Sequence, residues 1–185
     1  RVATKEAAVD SYLASARNEA PFYRLTKNQY GNLTGSVLDH YSINGAFPIT
    51  FSLHRDIVTG VEWSSRDAEE KEIMTAMGLG GVQHFAPTIH IIKMQWSGWS
   101  SELNSAHTFW QQCFGSGKTT VASYAKLVSG VISGQGFSGI SSEWGLCGGN
   151  NASRAGYYTH CHPHVSTAAG EVLFAWYGVV AGHVS

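Results

Sequence analysis

The chain has 185 residues, 43% of them hydrophobic and only 14% charged, against about 25% charged in an average soluble domain. That leaves room for one domain with an apolar core and argues against disorder, a coiled coil and a polyanion-binding surface. Twelve Lys and Arg against thirteen Asp and Glu give a net charge of -1, so neither nucleic acid nor an anionic membrane is selected as a partner.

In chain order, the first expected element is a helix over residues 4–20, where Ala8, Val9, Tyr12, Leu13 and Ala16 share one face, Thr4 can cap the start and Pro21 stops it. The segment to residue 30 is therefore an N-terminal helical extension. Turn signals at Tyr30-Gly31-Asn32 and Ile43-Asn44-Gly45 bracket an expected strand over 36–41, and the alternation across 49–53 gives another. The charged stretch 65–74 reads as a short solvated helix, and 88–96 as a strand with His90 half-buried on it. Residues 119–132 fit a helix and a strand equally, and Gly130 to Gly139 is a loop. The run from Val172 to Gly182 is far short of the roughly 20 residues of a membrane span and reads as a buried closing strand over 171–180. Without repeats or linkers, 1–185 is one domain. Abundant Gly, Ser, Thr and aromatics with frequent turns make it mainly β, an antiparallel sandwich or barrel.

Arg1 follows no leader, so the chain is read as cytoplasmic or as processed after secretion, in which case the sequons at Asn32 and Asn151 would matter. Cys113, Cys147 and Cys161 have no CxxC spacing; Cys113 and Cys147 are either buried thiols or a disulfide. Gly115-Ser-Gly-Lys-Thr-Thr120 resembles the end of a phosphate-binding loop, but Gln112 stands where its first glycine belongs, and an ordinary surface turn explains it.

The strongest chemical signal is Tyr157-Tyr-Thr-His-Cys-His-Pro-His164, one thiol and three imidazoles within five positions. Thiolate with neutral imidazole is a donor set for copper or zinc. A strand-loop-strand corner stiffened by Pro163 would turn Cys161 and His164 inward together, and a second imidazole must come from a distant strand. Thiolate plus two imidazoles is a blue-copper centre.

These residues resemble the cupredoxins. Cys161-His-Pro-His164 ahead of a final strand looks like their ligand loop, preceded by Ala155-Gly-Tyr-Tyr. The more specific resemblance is to the rusticyanin and sulfocyanin group: His107-Thr-Phe109 looks like the upstream ligand segment, the glycine-rich run 128–140 like the intervening loop, and Trp144 falls near an aromatic of the penultimate strand. It covers about residues 100–182. The resemblance implies a cupredoxin-like Greek-key β-sandwich, with copper held by His107, Cys161 and His164. It places Thr108 as hydrogen-bond support for the cysteine sulfur. Ser166 stands where a more distant histidine would be, so His164 serves; the loop has no methionine, and Glu171 stands where the axial ligand would be. The implied function is one-electron transfer by a monomer in the periplasm or outside the cell, with a redox protein such as a c-type cytochrome as partner.

Two alternatives use overlapping residues. His160-Cys-His162 and Thr88-Ile-His90 resemble parts of laccase-like multicopper oxidase motifs, in which His90, His160 and His162 would bind further coppers, but Ser166 and Ile92 stand where two of the histidines belong. Gly156, His162, His164, Glu171 and Gly178 resemble the first metal motif of a cupin-like metalloenzyme, with a spacing slightly too long. Of the other histidines, His40, His54, His84 and His183 read as surface or core-edge imidazoles, and Trp96, Trp99, Trp110 and Trp176 as core and rim aromatics.

Overall fold

The structure, a computed structural model, describes residues 42–43, 46–85, 88–113, 119–151, 159–161 and 163–181. The expected N-terminal helix, the strand over 36–41 and residues 115–118 of the expected surface turn lie outside them. Ten strands follow in order: β1 (Ser42–Ile43), β2 (Ile49–Ile57), β3 (Ile89–Trp96), β4 (Phe109–Cys113), β5 (Thr119–Ser129), β6 (Ile132–Gly134), β7 (Gly145–Asn151), β8 (Thr159–Cys161), β9 (Pro163–Val165) and β10 (Gly170–Ala181). One α-helix, α1 (Ala68–Ala76), and a 3-10 turn (Trp63–Ser65) fill the connection from β2 to β3.

The strands form an antiparallel β-sandwich. One layer is a five-stranded sheet in the order β2-β3-β10-β5-β7. The other combines β1-β4-β8 with the β6-β9 ribbon, the two joined by a bridge between His107 and His164. Phe109, Ile132 and Val165 from this second layer pack on Met94, Val121, Val172, Phe174 and Tyr177 of the first, and Phe109 lies edge-on to Tyr177 with ring centroids 5.2 Å apart.

The five-stranded sheet is also covered on its other face, where Ile73, Met74 and Met77 of α1 and its end pack on Ile57, Ile89, Ile91, Leu173 and Ala175. Burial on both faces explains why β3 and β10 read as near-continuous apolar runs. Helix α1 begins where the charged stretch was expected to be helical. The Asp67 carboxylate accepts the Glu70 backbone N–H at 2.8 Å as its N-cap, and Gly78 at φ 74° ends it.

Of the 119–132 segment, undecided by its own pattern, residues 119–129 become β5 because they pair with β10 on one side and β7 on the other, and Ile132 opens β6. Between Ala175 and Gly178, β10 carries one residue more than β5, and Trp176 takes a left-handed φ of 53°. The bulge sends Ala175 and Trp176 to the helix side and returns Tyr177 to the inter-sheet core. Gly136 lies under that ring: a Cβ there would stand 2.1 Å from Tyr177 Cε2. The expected loop over 130–139 is a loop only in part, since β6 pairs with β9 inside it.

Candidate metal centre

The candidate centre is built on the seam between the two parts of the second layer. The Thr108 N–H donates to the Pro163 carbonyl at 3.0 Å and the Val165 N–H to the Ala106 carbonyl at 2.9 Å. These bonds flank His107 and His164, which makes them a non-hydrogen-bonded antiparallel pair, the position where facing residues approach most closely and share one face. The two imidazoles meet edge to face, with centroids 4.5 Å apart and planes at 62°. Phe109 and Val165, buried in the core, anchor the two segments that carry them. Partial burial pushes the His164 imidazole below its ordinary pKa, which favours the neutral, ligating form.

Cys161 closes β8, its backbone in register with Gln111, and His160 pairs with Gln112. The side chains of both, and the whole of His162, lie outside the described residues. The register between this strand pair and the His107–His164 bridge shifts by one residue, so the second layer carries an irregularity directly beside the pair. Of the expected strand-loop-strand corner at Cys161 to His164 the structure describes the flanking strands, β9 being held by β6 on one side and the His107 segment on the other, while His162 between them lies outside the described residues. Among the described residues, no group of three or more His, Cys, Asp or Glu could hold a metal ion.

Two more of the residues singled out by resemblance have partners in the structure. Thr108 is 0% exposed and its hydroxyl donates to the Pro163 carbonyl at 3.3 Å, so it ties the segments of His107 and His164 together; the Cys161 sulfur it was expected to support lies outside the described residues. Glu171 is not brought to the histidines. It stands on β10 opposite Gln95, whose amide donates to its carboxylate at 2.8 Å, with Lys93 at 3.9 Å. The sequence has no signal for this, because the register with β3 is a long-range property. Cys147 is a free buried thiol, donating to the Gly145 carbonyl at 3.5 Å, which removes it from any disulfide with Cys113. Burial pushes its pKa up.

His90 is half-buried and satisfied, as its place on an apolar strand suggested. Its Nδ1 lies 2.6 Å from Asp56 Oδ1, directly across from it on β2. Asp56 was missed in the sequence, although the polar His-Arg-Asp interruption of an apolar strand at 54–56 marks the place. The neighbouring His54 lies 2.8 Å from Glu69. Arg55 holds Asp67 with both terminal nitrogens, at 3.0 and 2.5 Å, and Glu69 at 2.7 Å. This cluster fastens α1 to β2.

Compared with models of known protein families, with curated proteins and with solved structures, the chain matches none. No helix among the described residues is long and apolar enough to cross a membrane.

Proposed function

We propose that the chain is a blue-copper electron carrier working outside the cytoplasm, with His107 and His164 as its imidazole ligands and Cys161 as its thiolate. The observation that carries this reading is the His107–His164 pair, which the fold assembles from segments 57 residues apart in sequence at the closest-approach position of a strand pair. Two imidazoles in contact, one of them biased to its neutral form, fit copper or zinc. Bound copper would supply a one-electron couple. The protein's part is to hold the donors still: the Thr108 N–H and hydroxyl both end on the Pro163 carbonyl, and the adjoining segments are pinned by Phe109 and Val165. His164 is exposed and Val131, 46% exposed, lies beside β9, so a redox partner such as a c-type cytochrome would find an imidazole edge next to a small apolar contact.

The reading is tested by titrating metal-free protein with Cu(II) and recording the visible spectrum. One copper per chain with an intense thiolate-to-copper band, lost in Cys161→Ser and with binding lost in His107→Ala and His164→Ala, is the expected result. Copper binding indifferent to His107 and His164 would overturn it. A specific observation supports a second reading. Residues three apart in an extended strand face opposite ways, so Cys161 joins His164 only if the chain turns at His162. A two-imidazole site without thiolate would bind Zn(II) or Cu(II) with no intense band and would carry no electron-transfer role.

A further inference from the structure

Glu171, placed by resemblance at the metal, belongs to another feature. Register pairs Thr50 with Gln95, Gln95 with Glu171 and Glu171 with Ser129, so four polar side chains form one row across β2, β3, β10 and β5. Facing residues on neighbouring strands share a face, and this is the face opposite Met94, the one on which α1 packs farther along the strands, at Ile57, Ile89, Ile91, Leu173 and Ala175. The row floors a cleft of about 480 Å³ whose remaining lining is Pro48, Trp96, Ser97, Ala169 and Gly170. The walls are fastened to each other: the Ser97 N–H donates to the Pro48 carbonyl at 3.1 Å, and the Trp99 N–H to the Ala168 carbonyl at 3.1 Å. Gly170 at the floor has to be glycine, since a Cβ there would stand 2.0 Å from Trp96 Cζ2.

From this arrangement we propose that the cleft binds a neutral oligosaccharide. The one carboxylate in it, Glu171, is balanced by Lys93, so the cleft offers no net charge to a cation or an anion. What remains is a strip of hydroxyl, amide and carboxylate groups able to accept and donate in turn, between the apolar surfaces of Pro48 and Ala169, which matches the alternation of hydroxyl and C–H faces on a sugar. With strands about 4.8 Å apart the row runs about 14 Å, long enough for about two linked sugar rings. The Gln95 amide fixes the Glu171 carboxylate before any ligand arrives, which lowers the ordering cost of binding.

The experiment is a titration of the full ¹⁵N-labelled chain with cellobiose, maltose and chitobiose, following backbone amides by NMR. Saturable shifts at Thr50, Gln95, Ser97, Ser129 and Glu171 with at least one disaccharide are expected. Ser129→Trp, which fills the exposed end of the row, abolishes them with the melting temperature unchanged, and Glu171→Gln weakens binding about tenfold. No shift with any sugar, shifts confined to other residues, or unchanged affinity in Ser129→Trp would overturn the proposal, as would tetramethylammonium or inorganic phosphate binding the same amides in preference to the sugars. Because the readout uses metal-free protein, failure of the copper reading leaves it untouched.

Discussion

His107 faces His164 across the seam of the second layer, whereas His54 faces Glu69 and His90 faces Asp56 where α1 is fastened to the five-stranded sheet. Each imidazole near the helix has a carboxylate for its partner, and each at the seam has another imidazole. In the first arrangement His54–Glu69 joins a strand to the helix and His90–Asp56 joins two strands. The second pairs two imidazoles, whose proximity comes from the backbone: two flanking hydrogen bonds and a buried threonine bring like groups together. Residues of one type thus serve two purposes, and the partner decides which.

The anchors of the two regions differ in strength. Phe109, two residues from His107, is fully buried between Phe51 and Tyr177, and Phe109→Ala is expected to cost about 3–5 kcal/mol. Ile73→Ala, on the buried face of α1, is expected to cost about 2–4 kcal/mol. Urea denaturation of both variants measures the difference, and a reversed order would show that the helix, not the seam, carries the fold. The ion cluster is weaker. Arg55→Met is expected to cost about 1 kcal/mol, since partly exposed pairs are screened, and the loss should shrink further in about 1 M salt. His107→Phe, at the seam, should show no such salt dependence in parallel denaturation curves.

Acid sharpens the comparison from the helix side. Hydrogen bonding from Arg55 and the Glu70 backbone N–H holds the Asp67 carboxyl at about 2, below its ordinary 3.8. Glu69 is also lowered: desolvation raises it, but the hydrogen bonds and charges of His54 and Arg55 outweigh that. Folded-state values below the unfolded ones give stability that is present above the ordinary carboxylate range and lost as pH falls through the folded values. The fastening of α1 should therefore weaken as pH falls below about 4 and fail toward pH 2, with circular dichroism following the helix. In Asp67→Asn the loss at the acid end should be smaller, because one of the depressed groups is gone.

Where the pattern was local, the chain could be read: β3 and β10 from their apolar runs, α1 from its charged stretch. Segment 119–129 could not, because Ala122, Ala125 and Ser123 suit a helix as well as a strand and only the partners on both sides decide. At the seam, His107 and His164 were singled out through resemblance and do stand together, while Glu171, singled out on the same ground, faces Gln95 and Lys93. Sequence order gave all three the same standing; strand register separates them. The one-residue shift beside the pair and the bulge at Trp176 have no local sequence mark, since each is a count of residues on one strand against another.

The smallest effect is the most specific to the seam. Partial burial depresses the His164 pKa, so folding favours its neutral form; the stability this contributes is present above about 6.5 and is lost as pH falls through the lower folded value. The loss should be local, because His164 is exposed while Phe109 and Val165 keep both segments in the core. Hydrogen exchange at the Thr108 and Val165 amides, whose bonds flank the histidine pair, reads this opening directly. Their protection should fall as pH drops below about 6.5, and in His164→Phe it should stay flat. Equal loss at the amides of α1 over the same range would mean that the two regions open as one unit, and the division between a charge-fastened helix and a backbone-fastened donor pair would fail.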